Sequence, residues 1–147
     1  MIAVDTNLLI YAHREDSGWH SEALEALLVL ARSSRRWGIP WPCVHEFISI
    51  TTHPSIFVPP TPVATAFAAM EAWLISPSCR VIGEGPGHLG NLKRLALRAK
   101  IQGPMVHDAR IAAICLDNGV TELWSADRDF SRYRELRVVK PLVKKLG

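Results

Sequence analysis

Short apolar runs separated by helix-length segments recur along the chain, and this alternation restricts the architectures open to it. Runs at residues 2–4, 38–41, 79–82, 121–126 and 136–139 read as strands. Between them, residues 7–13, 20–35, 88–101 and 104–119 read as helices, and further helices open at Pro42 and Thr61. Pro104 after Gly103 marks a helix start, and Gly119 marks a stop. Strands that alternate with helices cannot form hairpins with one another and predict an α/β fold with a mainly parallel central sheet.

The chain has 147 residues, of which 48% are hydrophobic and 21% charged, enough for one globular domain over residues 1–147 with a proper core. No repeat or low-complexity linker divides it. Three cysteines without a C-x-x-C spacing fit reduced thiols inside a cell rather than a disulfide framework or a zinc site. The amino terminus lacks the pattern of a signal peptide, so a cytoplasmic location is expected. Residues 47–70 contain no Asp, Glu, Lys or Arg, but His53 and Pro54, Pro59, Pro60 and Pro62 break any membrane helix there. A net charge of +3 permits an anionic partner without demanding one.

Asp5 directly follows the apolar run Ile2, Ala3, Val4, where an unpaired buried charge is costly. A helix cap explains it locally. In open α/β sheets, however, ligand sites lie outside the carboxyl ends of the strands. Asp5 and Asp127 sit at two such ends, whereas Glu46 and Asp108 lie about one turn into the helices opened by Pro42 and Pro104. Each acid has its own local explanation as a cap, a dipole partner or a turn residue. Together they predict four carboxylates at one rim, where mutual repulsion calls for a cation. A set of oxygen donors without His or Cys suits Mg²⁺ or Mn²⁺ and phosphoryl chemistry.

The motifs "VDTN", "PCVHEF", "VHDARIAAI" and "WSADRDF", in this order, resemble those of the PIN-domain ribonucleases, and within them the VapC-type toxins of toxin–antitoxin pairs. The resemblance implies a PIN-like α/β/α sandwich and an endoribonuclease dependent on Mg²⁺ or Mn²⁺ that cuts structured RNA. It implies Asp5 and Asp108 as principal metal ligands, completed by Glu46 and Asp127. Thr6, Asn7 and Ser125 match the supporting polar positions; relatives often carry Thr where this chain has Ser125. It also implies a homodimer and a cognate antitoxin, for which the apolar residues at 19–30 and 56–73 offer surfaces.

Asp129 reads as the cap of the next short helix, with a fifth acid of the site as the alternative. His107 neighbours Asp108, but adjacent helical residues point apart, so it is not assigned as a base. His20, His45 and His53 show no ligand spacing. Lys93, Arg94, Arg98 and Lys100 form a basic flank for RNA phosphates or a solvated face. Three other functions share these features: a structure-directed DNA nuclease, a phosphorylated signalling domain and a non-catalytic binding module. The signalling reading needs a Lys beside the site; none precedes Lys93, and Lys140 is the one well-placed candidate.

Overall fold

The computed structural model describes residues 1–144; the expected domain, 1–147, ends three residues further on, outside the described ones. Five strands, β1 (Ile2–Val4), β2 (Trp37–Pro40), β3 (Cys79–Ile82), β4 (Glu122–Trp124) and β5 (Arg137–Val139), form one sheet in the order β3-β2-β1-β4-β5. Every pairing is parallel. Six helices flank the sheet: α1 (Thr6–His13), α2 (His20–Arg32), α3 (Trp41–Thr51), α4 (Val63–Leu74), α5 (His88–Ala99) and α6 (Val106–Asp117). The expected α/β class, with helices packed around a parallel sheet, is what forms.

β1 and β2 are buried at every residue, which requires cover on both sheet faces, and parallel strands of this kind read as continuous apolar runs rather than alternating ones. Gly38 belongs to this close packing, since a Cβ there would stand 3.1 Å from Ile82 Cγ2. Trp37, fully buried, sends its indole N–H to Ser78 Oγ at 3.2 Å, so the ring is covered without stranding its donor.

Several helix ends differ from expectation. α2 stops at Arg32, three residues before the expected end, because Ser33 is extended and its Oγ accepts the N–H of Arg35. Arg35 therefore lies beyond the helix and pairs with Glu122 instead. Pro104 opens a short 3-10 turn, Gly103–Met105, ahead of α6, so Asp108 falls in the first turn of the α-helix proper. Gly119 ends α6 at φ +67°, a conformation glycine adopts without Cβ strain.

The strand order has a functional consequence. The chain moves from β1 outward through β2 to β3, then returns to pair β4 on the other side of β1. The boundary between β1 and β4 is thus the switch point of the sheet, where crossovers diverge and open a crevice at the carboxyl ends. Asp5 and Ser125 immediately follow these two strands.

Candidate metal centre

Asp5 leaves the sheet as the N-cap of α1, its Oδ1 accepting the backbone N–H of Thr6 at 2.8 Å. Its own N–H still donates to Trp124 O across the β1–β4 boundary, at 2.9 Å. The cap explanation therefore describes its geometry, yet it accounts for only part of its surroundings. Ser125 donates its hydroxyl to the other oxygen, Oδ2, at 2.7 Å, and the Cys43 thiol lies 3.7 Å from Oδ1. Asp5 is 5% exposed. Burial, followed by the charges of Glu46 and Asp108, pushes its pKa up to about 6 against the opposing hydrogen bonds from Ser125 and Thr6.

The remaining acids arrive from three other elements. Glu46, on α3, takes the Thr6 hydroxyl on Oε2 at 2.8 Å, which ties it to the start of α1. Asp108, in the first turn of α6, is held above the usual carboxylate range by burial and by Asp127, Glu46 and Asp129. Asp127 and Asp129 come from the turn after β4, and single oxygens of Asp108, Asp127 and Asp129 lie within 4.8 Å of one another. A relay of short bonds orders the group: the N–H of Asp127 donates to Ser125 Oγ at 2.9 Å, and that of Asp129 to Asp127 Oδ1 at 2.8 Å. Asn7 accepts the Ala126 N–H at 3.2 Å, pinning the same turn to α1.

One assignment is corrected here. Asp129 does not cap the following 3-10 turn, Arg128–Arg132; Asp127 does, and Asp129 stands in its first turn beside the other acids. Either acid of "DRD" satisfies the sequence pattern of a cap, but only Asp127 has the extended backbone that turns its side chain onto the N–H two residues on.

His107 is exposed. His20 and His53 make local bonds, to Tyr11 O and from the Ser55 N–H. Lys93, Arg94, Arg98 and Lys100 are all exposed on or just past α5, with Leu95 buried beneath; Arg94 and Arg98 both pair with Glu135.

Two contributors escaped the sequence reading. Cys43 precedes Glu46 by three residues on α3, a spacing that places both toward α1. Arg132 follows Asp129 by three residues, its Nη2 lying 3.6 Å from Asp129 Oδ1, and its charge partly offsets the repulsion on Asp108.

The donors are carboxylate oxygens, hard ligands, of which those of Asp108, Asp127 and Asp129 are spaced closely enough that they could hold one ion; Asp5 and Glu46 lie outside that group of three. Asp5 is preorganised by hydrogen-bond donors to be an anion, yet its buried, like-charged surroundings oppose ionisation. A divalent cation resolves that conflict, so the residues fit Mg²⁺ or Mn²⁺.

Comparison with known proteins places this parallel sheet and its acidic rim. The PIN domain family model matches residues 2–136. Ribonuclease VapC43 of Mycobacterium tuberculosis is 36% identical over 142 residues, 97% of this chain and 96% of that protein. Among solved structures, VapBC2 from Rickettsia felis bound to a promoter DNA fragment superposes with a TM-score of 0.68 at 16% identity, over 95% of this chain and 98% of that one. VapC20 of M. tuberculosis, described as a toxin cleaving the sarcin-ricin loop, gives 0.66 at 17% identity over 89% and 93%. The chain belongs to the PIN domain family and, within it, to the VapC ribonucleases.

Proposed function

We propose that the chain is the toxin of a toxin–antitoxin pair and a Mg²⁺- or Mn²⁺-dependent endoribonuclease that hydrolyses phosphodiester bonds in structured RNA. The observation that carries this reading is the convergence of acids from β1, α3, α6 and the turn after β4, which serves no stabilising purpose by itself. Asp5 and Asp108 are the principal ligands in this reading, and Glu46, Asp127 and Asp129 surround them. A bound divalent ion supplies positive charge against the phosphoryl oxygens and acidifies the attacking water.

The chain's own residues do the positioning. Ser125 and the Thr6 N–H fix both oxygens of Asp5, and the Thr6 hydroxyl fixes one oxygen of Glu46. Side chains locked in this way hold the site in one geometry and remove a reorganisation cost from the reaction. Asp127, partly exposed, and Asp129, exposed, form the outer side of the cluster, toward which a phosphodiester approaches from solvent.

The partner assignments belong to the same proposal. Relatives are found as VapBC complexes, and Leu24, Leu28 and Val29 of α2 with Val63 and Phe67 of α4 expose apolar surface suited to an antitoxin segment or a second copy. Among the described residues no helix is long and apolar enough to cross a membrane; we place the protein in the cytoplasm with its RNA substrate.

The test is cleavage of total RNA by the purified chain with Mn²⁺ or Mg²⁺, against a chelator and against the 2′-deoxy equivalent of any fragment cut. Discrete, metal-dependent RNA products are expected. Equal cleavage in chelator removes the metal, and preference for the deoxy strand replaces RNA with DNA as substrate.

A further inference from the structure

Beside the acidic cluster, a cavity of about 600 Å³ opens between the end of α5 and the chain that leaves the 3-10 turn. Arg98, Ser131, Arg132, Tyr133, Arg134 and Glu135 line it. Its volume falls in the range that holds a small organic ligand. Three guanidinium groups face one carboxylate, so its balance is cationic, next to a rim that is strongly anionic.

The two regions share a wall. Arg132 donates through Nε to the backbone oxygen of Asp129 at 3.0 Å, and its charge reaches Asp108. Glu135 accepts from Arg98 at 2.7 Å and from Arg94 at 2.9 Å, bracing α5 against the opposite side of the cavity. Arg134 has no such partner among the described residues and adds an uncommitted cation.

One wall of the cavity is a buried tyrosine. The Tyr133 hydroxyl is buried without a hydrogen-bond partner among the described residues, in a side chain only 2% exposed. The residue thus lines the cavity while its hydroxyl is closed to solvent.

We infer that this cavity is a nucleotide subsite of the RNA chain, seating the unit next to the scissile bond with its phosphate on Arg132 and Arg134. The inference rests on the ribonuclease reading and deepens it. The acidic rim repels a polyanion, and the neighbouring cations hold the flanking phosphate while the acids, with their ion, address the scissile one.

The experiment is binding of a fluorescein-labelled single-stranded oligouridylate, followed by anisotropy over a salt series in chelator so that no cleavage occurs. Arg134→Gln is expected to weaken binding at least about fivefold and to reduce the slope of log K against log salt by about 0.7; adding Arg132→Gln, the other residue assigned to the phosphate, is expected to double the change in slope. Arg80→Gln, an equal charge loss on the edge strand β3, serves as control and is expected to leave binding unchanged. Arginine variants that bind no worse than the control overturn the subsite. Cleavage by the wild-type chain with Mn²⁺ is run alongside. Intact cleavage with indifferent variants overturns the subsite alone, whereas a wild type that neither cuts nor binds RNA overturns the ribonuclease reading beneath it.

Discussion

The two ends of α6 carry the same side chain in opposite electrostatic states. Asp108, in the first turn, is raised by burial and by the acids around it. Asp117, the last residue, has a side chain 1% exposed and is nonetheless lowered: burial pushes it up, but Asn91 Nδ2 at 2.7 Å, His88 Nδ1 at 2.6 Å and the Gly85 N–H at 3.2 Å donate to it and prevail. The helix dipole alone favours an anion at the first position and disfavours one at the second. Both shifts run against it, so specific neighbours outweigh the dipole at each end. One carboxylate secures the β3–α5 connection to α6; the other is left short of positive charge, as expected of a group awaiting a ligand.

The sharpest way to break the comparison is to neutralise each end in turn. Asp108→Asn is expected to lower the RNA cleavage rate by about 10²–10³-fold or more, the scale of losing one essential electrostatic group, while thermal stability holds or rises because repulsion is relieved. Next in size, Asp117→Ala strands three donors in a buried site and is expected to cost about 3 kcal/mol. For a chain of this length that is a fall in Tm of roughly 6–12 °C, read by calorimetry, with cleavage retained well below the transition. The two positions lie about 13 Å apart along the axis at a rise of 1.5 Å per residue, so the double variant should show both effects added. A loss of stability in Asp108→Asn equal to that of Asp117→Ala contradicts the contrast.

The two ends also differ in how far the sequence discloses them. Asp108 is legible because its position depends on local signals, a Gly-Pro start one turn upstream, and on the rule that parallel strands deliver their exits to one edge. The same reasoning places Asp5, Glu46 and Asp127. The strand order is not legible, since nothing in short apolar runs says that β4 returns to the far side of β1; that return is what makes Asp5 and Ser125 neighbours. Asp117 is invisible for a related reason. Its partners Gly85, His88 and Asn91 stand 26 to 32 residues away and meet it only through the packing of α5 on α6. That Asp127 and not Asp129 is the cap marks the limit of pattern reading, because two acids two residues apart satisfy the same cap rule and only the backbone torsions distinguish them.

Addition of Mn²⁺ gives a smaller effect that separates the ends further. A ligand that binds only the folded state at ten times its Kd adds about 1.4 kcal/mol, a rise in Tm of roughly 3–6 °C. The wild type and Asp117→Ala should gain equally, since the latter change leaves the acids at the sheet edge untouched. Asp108→Asn should gain markedly less. An equal gain by all three proteins places the ion elsewhere.

The smallest effect is in the pH dependence of stability, and its sign distinguishes Asp117 from a group under repulsion. Because its folded pKa lies below the unfolded value near 3.8, the unfolded chain binds the proton more readily. Its contribution is therefore fully present above pH 4 or so and is lost as pH falls through the folded pKa. The stability difference between wild type and Asp117→Asn should thus be constant from pH 7 to pH 5 and shrink on further acidification, as measured by urea unfolding at each pH. Most of the difference should be gone at low pH, since a protonated Asp117 accepts from Asn91 and Gly85 much as an asparagine does. A gap that widens on acidification would mean that burial, rather than the three donors, governs this carboxylate, and the contrast between the ends of α6 would reduce to a difference in degree.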